Sequence, residues 1–293
     1  HLYLDWSTGE LRTSSPNGQF DWYGGDSAAQ LRELVRWGYH TQARQAAHYL
    51  YSVRNIYTET QGGVGAAASV AASVAYLMML EDCAGTFSDD MYPALQSFCD
   101  SFAAAIETDP RHLTAETHYE GGGPYHTTAD NTATYTALRF GVQIAGKRGQ
   151  AADAARWSAA ASNQLAGINA NLILSAPMIW TNYTALPGWP PPAPLVATNT
   201  LPAGTFLYGI NDSGVVPTNA YAGLWTGGHH EESFFGYRGN AVTISAWRSA
   251  MDKMLDYHPA TNFTADWRRH GDSFGVGTSY GALSEGGGRI MTS

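Results

Sequence analysis

Residues 116–131 read Glu-Thr-His-Tyr-Glu-Gly-Gly-Gly-Pro-Tyr-His-Thr-Thr-Ala-Asp-Asn. The stretch gathers Glu116, Glu120, Asp130, His118, His126, Tyr119 and Tyr125 around Gly121, Gly122 and Gly123. Consecutive glycines lose more backbone freedom on ordering than other residues, so they hold helix and strand poorly, but they let a chain turn tightly and approach a ligand. Carboxylates and imidazoles transfer protons, and tyrosine rings offer an apolar face with a polar tip. Together they suit a sugar, with flat faces for the ring and carboxylates for hydroxyls and proton transfer. The alternative is a solvated glycine-rich surface loop. Acid, histidine and aromatic residues mixed on a loop between helices favour a site over a spacer.

Cleaving a glycosidic bond takes a carboxylic acid to protonate the leaving oxygen and a carboxylate on the other side. The two stand roughly 6.5–9.5 Å apart when water attacks directly with inversion. Glu120 is the candidate acid, because Tyr119 and the Gly/Pro backbone can desolvate it and keep it protonated near neutrality. Glu116 is the fallback. A metal is not expected. His229-His230-Glu231-Glu232 places adjacent side chains on opposite sides, and no His-x-x-x-His falls on a helix. His118 and His126 fit a sugar or structural role better. No cofactor is implied, since the sequence has no Walker loop or dinucleotide fingerprint.

The chain of 293 residues is 44% hydrophobic, enough for one large core, and only 14% charged, against about 25% in ordinary soluble domains. Its net charge of −9 repels phosphate, so neither nucleic acid nor an anionic membrane is an expected partner. Nine Trp, seventeen Tyr and ten Phe make an aromatic-rich chain, and most of these rings are expected in the core. Several of them (Trp22, Tyr23, Trp180, Tyr183, Trp189 and Trp225) fall in Gly/Pro-rich loops. The apolar run 64–80 is interrupted by Ser69 and Ser73 and reads as a buried helix rather than a membrane span. His1 reads as a processed terminus or the edge of a fragment. Cys83 and Cys99 either pair, as in a secreted protein, or stand as two buried thiols. Asn182, Asn211 and Asn262 begin glycosylation patterns in loop-like segments, which is compatible with secretion.

Helical periodicity organises the chain. Asp26 or Ser27 caps a first helix to about 37, ended by Gly38. Thr41 caps a second, to about 54. A third runs from about 63 to Cys83. Pro93 fits the first turn of a fourth, to about 107, where Asp109-Pro110 stops it. A fifth spans about 128–147 and a sixth, beyond Gly149, about 151–172. Residues 177–217 form a long Pro/Gly/Trp-rich insertion. A seventh helix is expected near 240–255. Few runs alternate as strands should, although residues 207–210 can pair locally. Short and long connections alternate. In antiparallel helices that sends every long connection to one end, and with them residues 21–26 before the first helix. The expected class is therefore all-α, in a single domain over 1–293, with long loops gathered at one rim.

Two stretches resemble the six-hairpin, or (α/α)6-toroid, glycosidases, above all the glucoamylase-type glycoside hydrolases. Phe20-Asp-Trp-Tyr-Gly-Gly-Asp26-Ser-Ala-Ala, opening the first helix, is similar to that family's aromatic-then-Asp segment. Gly25 stands where the family has Arg, so only Asp26 carries over. His118-Tyr-Glu120-Gly-Gly-Gly-Pro-Tyr-His126-Thr-Thr resembles the motif whose Glu is the general acid. Tyr119 replaces its Trp, and the family's Arg is absent. The likeness covers about 20–171. It implies a toroid of twelve helices, of which seven are legible, so the chain reads as a fragment or shortened relative. It further implies an inverting hydrolase of a neutral oligo- or polysaccharide, secreted, with Glu120 as acid. The family places its base late in the chain, which points to Glu285, with Glu231 and Glu232 as rivals. Trp22, Asp26, Tyr119, His126, Asp130 and Trp225 would stack the sugar ring and hold its hydroxyls, while Asp130 has the alternative task of capping the fifth helix. Two other readings stay open. One is a polysaccharide lyase on a similar toroid, using Tyr and His for proton abstraction. The other is a non-catalytic carbohydrate-binding α/α domain.

Overall fold

The computed structural model describes residues 3–4, 11–12, 24–52, 63–115, 125–181, 198–201, 203–204, 209–211 and 214. Among them the chain forms six helices: α1 (Gly24–Arg36), α2 (His40–Ser52), α3 (Gly63–Leu80), α4 (Gly85–Thr108), α5 (Thr128–Lys147) and α6 (Ala151–Asn171). Most described residues are helical, in keeping with an all-α class. Two compact units are present. The described residues up to 115 and Asp130–Ala166 belong to the first, while Tyr125–Ala129 and the described residues from Gly167 onward belong to the second. The expected seventh helix near 240–255 lies outside the described residues.

The helices of the first unit form three hairpins closed by one kind of turn. At the end of α1, the amide of Tyr39 bonds the Leu34 carbonyl and the amide of Gly38 bonds the Val35 carbonyl. The end of α5 repeats this with Gln150 on Ala145 and Gly149 on Gly146. Both are Schellman caps, which need a left-handed residue after the helix, and Gly38 (φ 81) and Gly149 (φ 73) supply it. At the end of α3 the same bonds run from Cys83 to Met78 and from Asp82 to Met79. There Asp82, at φ 60, takes the position glycine fills elsewhere. Each cap satisfies orphan carbonyls and reverses the chain within a few residues.

Side-chain contacts then order the hairpins in two rows. In one row α1 meets α3 through Arg32 Nη1 donating to Ser73 Oγ at 2.9 Å, and α3 meets α5 where the rings of Tyr76 and Phe140 lie 6.3 Å apart. In the other row α2 meets α4 through His48 on Phe87 and Tyr51 on Phe98, both at 5.6 Å between centroids. Helix α4 meets α6 through Tyr92 on Asp153 and Trp157 on Asp100. In this second row contact positions advance together along both helices, so its members run parallel. Across the rows they run oppositely: Cys99 faces Ala137, while residues 82–89, much earlier in the chain, face Lys147 and Arg148.

Burial explains the two rows. Helix α3 carries no charged residue, and Val70, Val74, Leu77 and Met78 have no exposure; a helix apolar all round belongs in an interior. Helix α4 is amphipathic, with Phe87, Met91, Leu95, Phe98, Phe102 and Ile106 buried on one side and Asp90, Ser97 and Ser101 exposed on the other. The short turns lie side by side. Arg44 pairs with Glu81 at 2.6 Å, Lys147 pairs with Asp82, and Arg148 pairs with Asp89 at 2.6 Å while donating to the Cys83 carbonyl at 3.1 Å.

Two sequence expectations are corrected, and one alternative is resolved. Helix α4 begins at Gly85, so Pro93 is inside it rather than in its first turn. An interior proline costs about 3 kcal/mol, but Phe87 and Met91 before it and Leu95 after it continue one buried stripe. Pro93 itself is exposed, so water can reach the carbonyl its missing N–H leaves free. Helix α1 begins at Gly24, which puts Asp26 and Ser27 inside the first turn rather than at its cap. Of the two readings of the cysteines the thiols hold, since Cys83 and Cys99 are both unpaired and buried.

Strands are few and short. β1 (Tyr3–Leu4) pairs β2 (Leu11–Arg12). β3 (Tyr125–Thr127) pairs antiparallel with β6 (Gly209–Asn211), and β4 (Met178–Thr181) with β5 (Thr198–Leu201). A strand does form at Gly209 and Ile210, but its pairing is not the local one expected at 207–210, since its partner is the distant β3. Asn211, read from the sequence as a loop asparagine, belongs to β6.

Candidate functional site

Of the residues selected from the sequence, His126 and Asp130 have described side chains. His126 sits in β3 opposite Ile210, and both are buried at 2% exposure. The approach of the two strands requires a glycine. A Cβ at Gly209 would stand 2.6 Å from the His126 carbonyl oxygen and 3.0 Å from the Thr127 Cα. The backbone of His126 is therefore fixed by a strand that arrives from far along the chain.

Asp130 is the acidic residue of the first turn of α5, where a carboxylate complements the positive helix terminus. It is buried, and its backbone carbonyl accepts from Thr134 Oγ1 at 2.7 Å. That location agrees with the helix-end role weighed for it. Asp26 lies in the first turn of α1. Glu120, Glu285, Trp22, Tyr119 and Trp225 lie outside the described residues, as do Glu116, His118, Glu231 and Glu232.

The chain leading from α4 toward Glu116 is described as far as 115 and is tightly built. Asp109 caps α4, and its Oδ1 accepts from the amides of Arg111 (2.8 Å) and Leu113 (3.2 Å), making a side-chain turn. His112 is held at φ 57 within it, and its ring Nδ1 lies 3.2 Å from the Ile106 carbonyl. Leu113 and Thr114 are then buried. Asn131 of α5 meets Thr114 with its whole carboxamide. Oδ1 accepts from the Thr114 amide at 2.8 Å and from its hydroxyl at 3.2 Å, and Nδ2 donates to the Thr114 carbonyl at 3.1 Å. Gln164 of α6 adds Nε2 to the same Oδ1 at 3.1 Å.

Neither Asn131 nor Gln164 was selected from the sequence for a role. The signal for Gln164 is its register: Ala160, Ala161, Gln164 and Ile168 are buried together on α6, and a single amide interrupts an otherwise apolar stripe. A buried amide must be hydrogen-bonded, so its position in the pattern implies a partner.

The remaining polar cluster ties α4 to α6. Asp153 Oδ2 accepts from Tyr92 Oη at 2.8 Å and from Gln96 Nε2 at 2.7 Å, and Asp100 Oδ1 accepts from Trp157 Nε1 at 2.7 Å and Arg156 Nε at 3.0 Å. Burial, then the bond to Asp153, pushes the Tyr92 hydroxyl far above the ordinary phenol range. Burial likewise pushes the Cys99 thiol up, and the Cys83 thiol with it. Thiols held protonated in this way are not nucleophiles, so the cluster reads as a helix tie. Among the described residues no group of three or more His, Cys, Asp or Glu gathers as a metal would need. No described helix is long and apolar enough to cross a membrane.

No family model matches the chain, and neither a curated protein nor a solved structure matches it.

Proposed function

We propose that the protein is a glycoside hydrolase built on an α/α toroid, with Glu120 as the general acid of an inverting reaction on a neutral oligo- or polysaccharide. The observation that carries this is the order of the hairpins. Three helical pairs stand side by side in two rows, with the turn after α3 ion-paired to Arg44 of α2 and to Lys147 at the end of α5, and Arg148 paired with Asp89 of α4. The helix ends from which 53–62 and 109–127 depart are then the opposite ones, which is the arrangement a rim of long loops requires. Glu120 belongs to the second of those connections. The resemblance of residues 118–128 to the acid motif of the glucoamylase-type enzymes supports the same assignment, and that of 20–29 supports Asp26 as a sugar ligand.

Glu120 would donate its proton to the leaving oxygen while a second carboxylate, Glu285 by its late position, takes one from the attacking water. Trp22, Tyr119 and Trp225 would stack on the ring. His126, Asp130 and Asp26 would bond hydroxyls. Secretion fits this reading, since an extracellular polysaccharide is its natural substrate.

The test is a panel of neutral α- and β-glucans and their oligosaccharides, with a uronate polymer included. Release of reducing ends without the absorbance of an unsaturated uronate supports hydrolysis. The appearance of that absorbance would mean a lyase, and binding without turnover would mean a carbohydrate-binding domain. Either of the last two outcomes overturns the proposal.

A further inference from the structure

The segment 109–127 connects α4 to α5, and Thr114 lies near the end of its first described stretch. This residue lies in neither helix nor strand yet is buried, so its amide, carbonyl and hydroxyl all need partners inside the protein. Asn131 bonds all three with one carboxamide, much as an adjacent strand would meet the backbone of its neighbour. Few other side chains can do this. Aspartate has no donor for the Thr114 carbonyl, and alanine has neither group. Asn131 is carried on the first turns of α5, which rigidifies one side of the contact. Gln164 rigidifies it a second time from α6, and all three residues are buried at 0–1% exposure.

We propose that Asn131, braced by Gln164, is the positioning residue for the connection that bears Glu120. This rests on the glycoside-hydrolase reading. The clamp sets where the chain leaves the helices, and Glu120 follows Thr114 closely in sequence. The amide acts through the backbone of Thr114 and touches no substrate.

Gln164→Met gives the cleanest test. The variant keeps the volume of the side chain and removes the bond to Asn131. It also removes Gln164 Oε1, which has no hydrogen-bond partner among the described residues. Its melting temperature should therefore stay near that of the native protein, while the clamp loosens. Asn131→Ala and Asn131→Asp remove or invert the clamp itself. The measurements are amide exchange at Thr114 in the folded protein, and kcat and KM on the best glycan of the panel. For a folded Asn131 variant, Thr114 should exchange at least about tenfold faster, the local opening having become cheaper. Its kcat should fall about tenfold to a hundredfold with KM within about threefold, as expected for a misplaced catalytic group. Gln164→Met should move both quantities in the same direction by about threefold or more.

Native kcat in Gln164→Met, or unchanged Thr114 exchange in it, overturns the proposal even where the Asn131 variants fail to fold. If the native protein cleaves no glycan, the hydrolase reading falls by itself. Faster Thr114 exchange in Gln164→Met then supports the clamp, and unchanged exchange refutes it.

Discussion

Gly209→Ala is the substitution whose effect the structure specifies most sharply. The added methyl would lie 2.6 Å from the His126 oxygen, 3.0 Å from the Thr127 Cα and 3.2 Å from the His126 carbonyl carbon. All three atoms are backbone, so no rotamer change relieves the contact; β3 and β6 must separate. Overpacking of this kind costs about 1–3 kcal/mol. Against it stands a gain of about 0.4–1 kcal/mol from the less flexible unfolded chain when alanine replaces glycine. The net expectation is a loss of about 1–2 kcal/mol, carried by the three paired positions 125–127 and 209–211. Amide exchange at these positions, alongside urea unfolding, reads it directly. Gly146→Ala in α5 is the control, because a Cβ there meets nothing within 4 Å, and it should gain about 0.5–1 kcal/mol from helix propensity. If Gly209→Ala were as stable as Gly146→Ala, with native protection at 126 and 127, the strand pairing that fixes His126 would be wrong.

Two further outcomes follow from the packing of the first unit. A Cβ at Gly141 would stand 2.9 Å from Cys99 Sγ and 3.0 Å from Trp157 Cε3. Gly141→Ala should therefore lose about 1–2 kcal/mol net despite its better helix propensity, and adding Cys99→Ala should recover part of that in a double-mutant cycle by urea unfolding. Additive effects in that cycle would refute the contact. The second concerns alkaline pH. Cys99 is raised above its ordinary 9.0 and Tyr92 above 10.0, each by burial first. Above those ordinary values the unfolded chain releases protons that the folded chain keeps. Stability is thus full below about pH 9 and falls as pH rises, by about 1.4 kcal/mol per pH unit for each such group. Cys99→Ala should flatten the onset of that decline, and identical slopes in variant and native protein would contradict the burial of the thiol.

How much of this was legible in the sequence depended on how local its cause is. The ends of α1 and α5 could be read at Gly38 and Gly149, because a left-handed cap is written in a single residue type. The equivalent turn after α3 was harder to place, since Asp82 and Cys83 occupy the left-handed positions there. Pro93 has the look of a first-turn residue, yet α4 begins at Gly85. The buried stripe that extends upstream through Met91 to Phe87 is the stronger signal, and it outweighs the proline. The pairing of β3 with β6 joins residues more than eighty positions apart, and no periodicity records such a contact. For the site, chemistry-bearing residue types marked His126 and Asp130. Asn131 and Gln164 passed as ordinary polar positions of helices, because their role lies in one another and in Thr114. Asp130 shows the limit from the other side: residue type suggested a sugar ligand, while its place in the first turn of α5 serves the helix end as well.

Glu120→Gln gives the most direct test of the central assignment. Glutamine keeps the shape of the side chain and its hydrogen bonding but cannot donate the proton. Turnover on the best glycan should fall at least about a hundredfold, at the lower end of what general acid catalysis supplies, while the affinity for a non-cleaved oligosaccharide stays within about threefold of native by calorimetry. Native turnover in that variant would contradict the account.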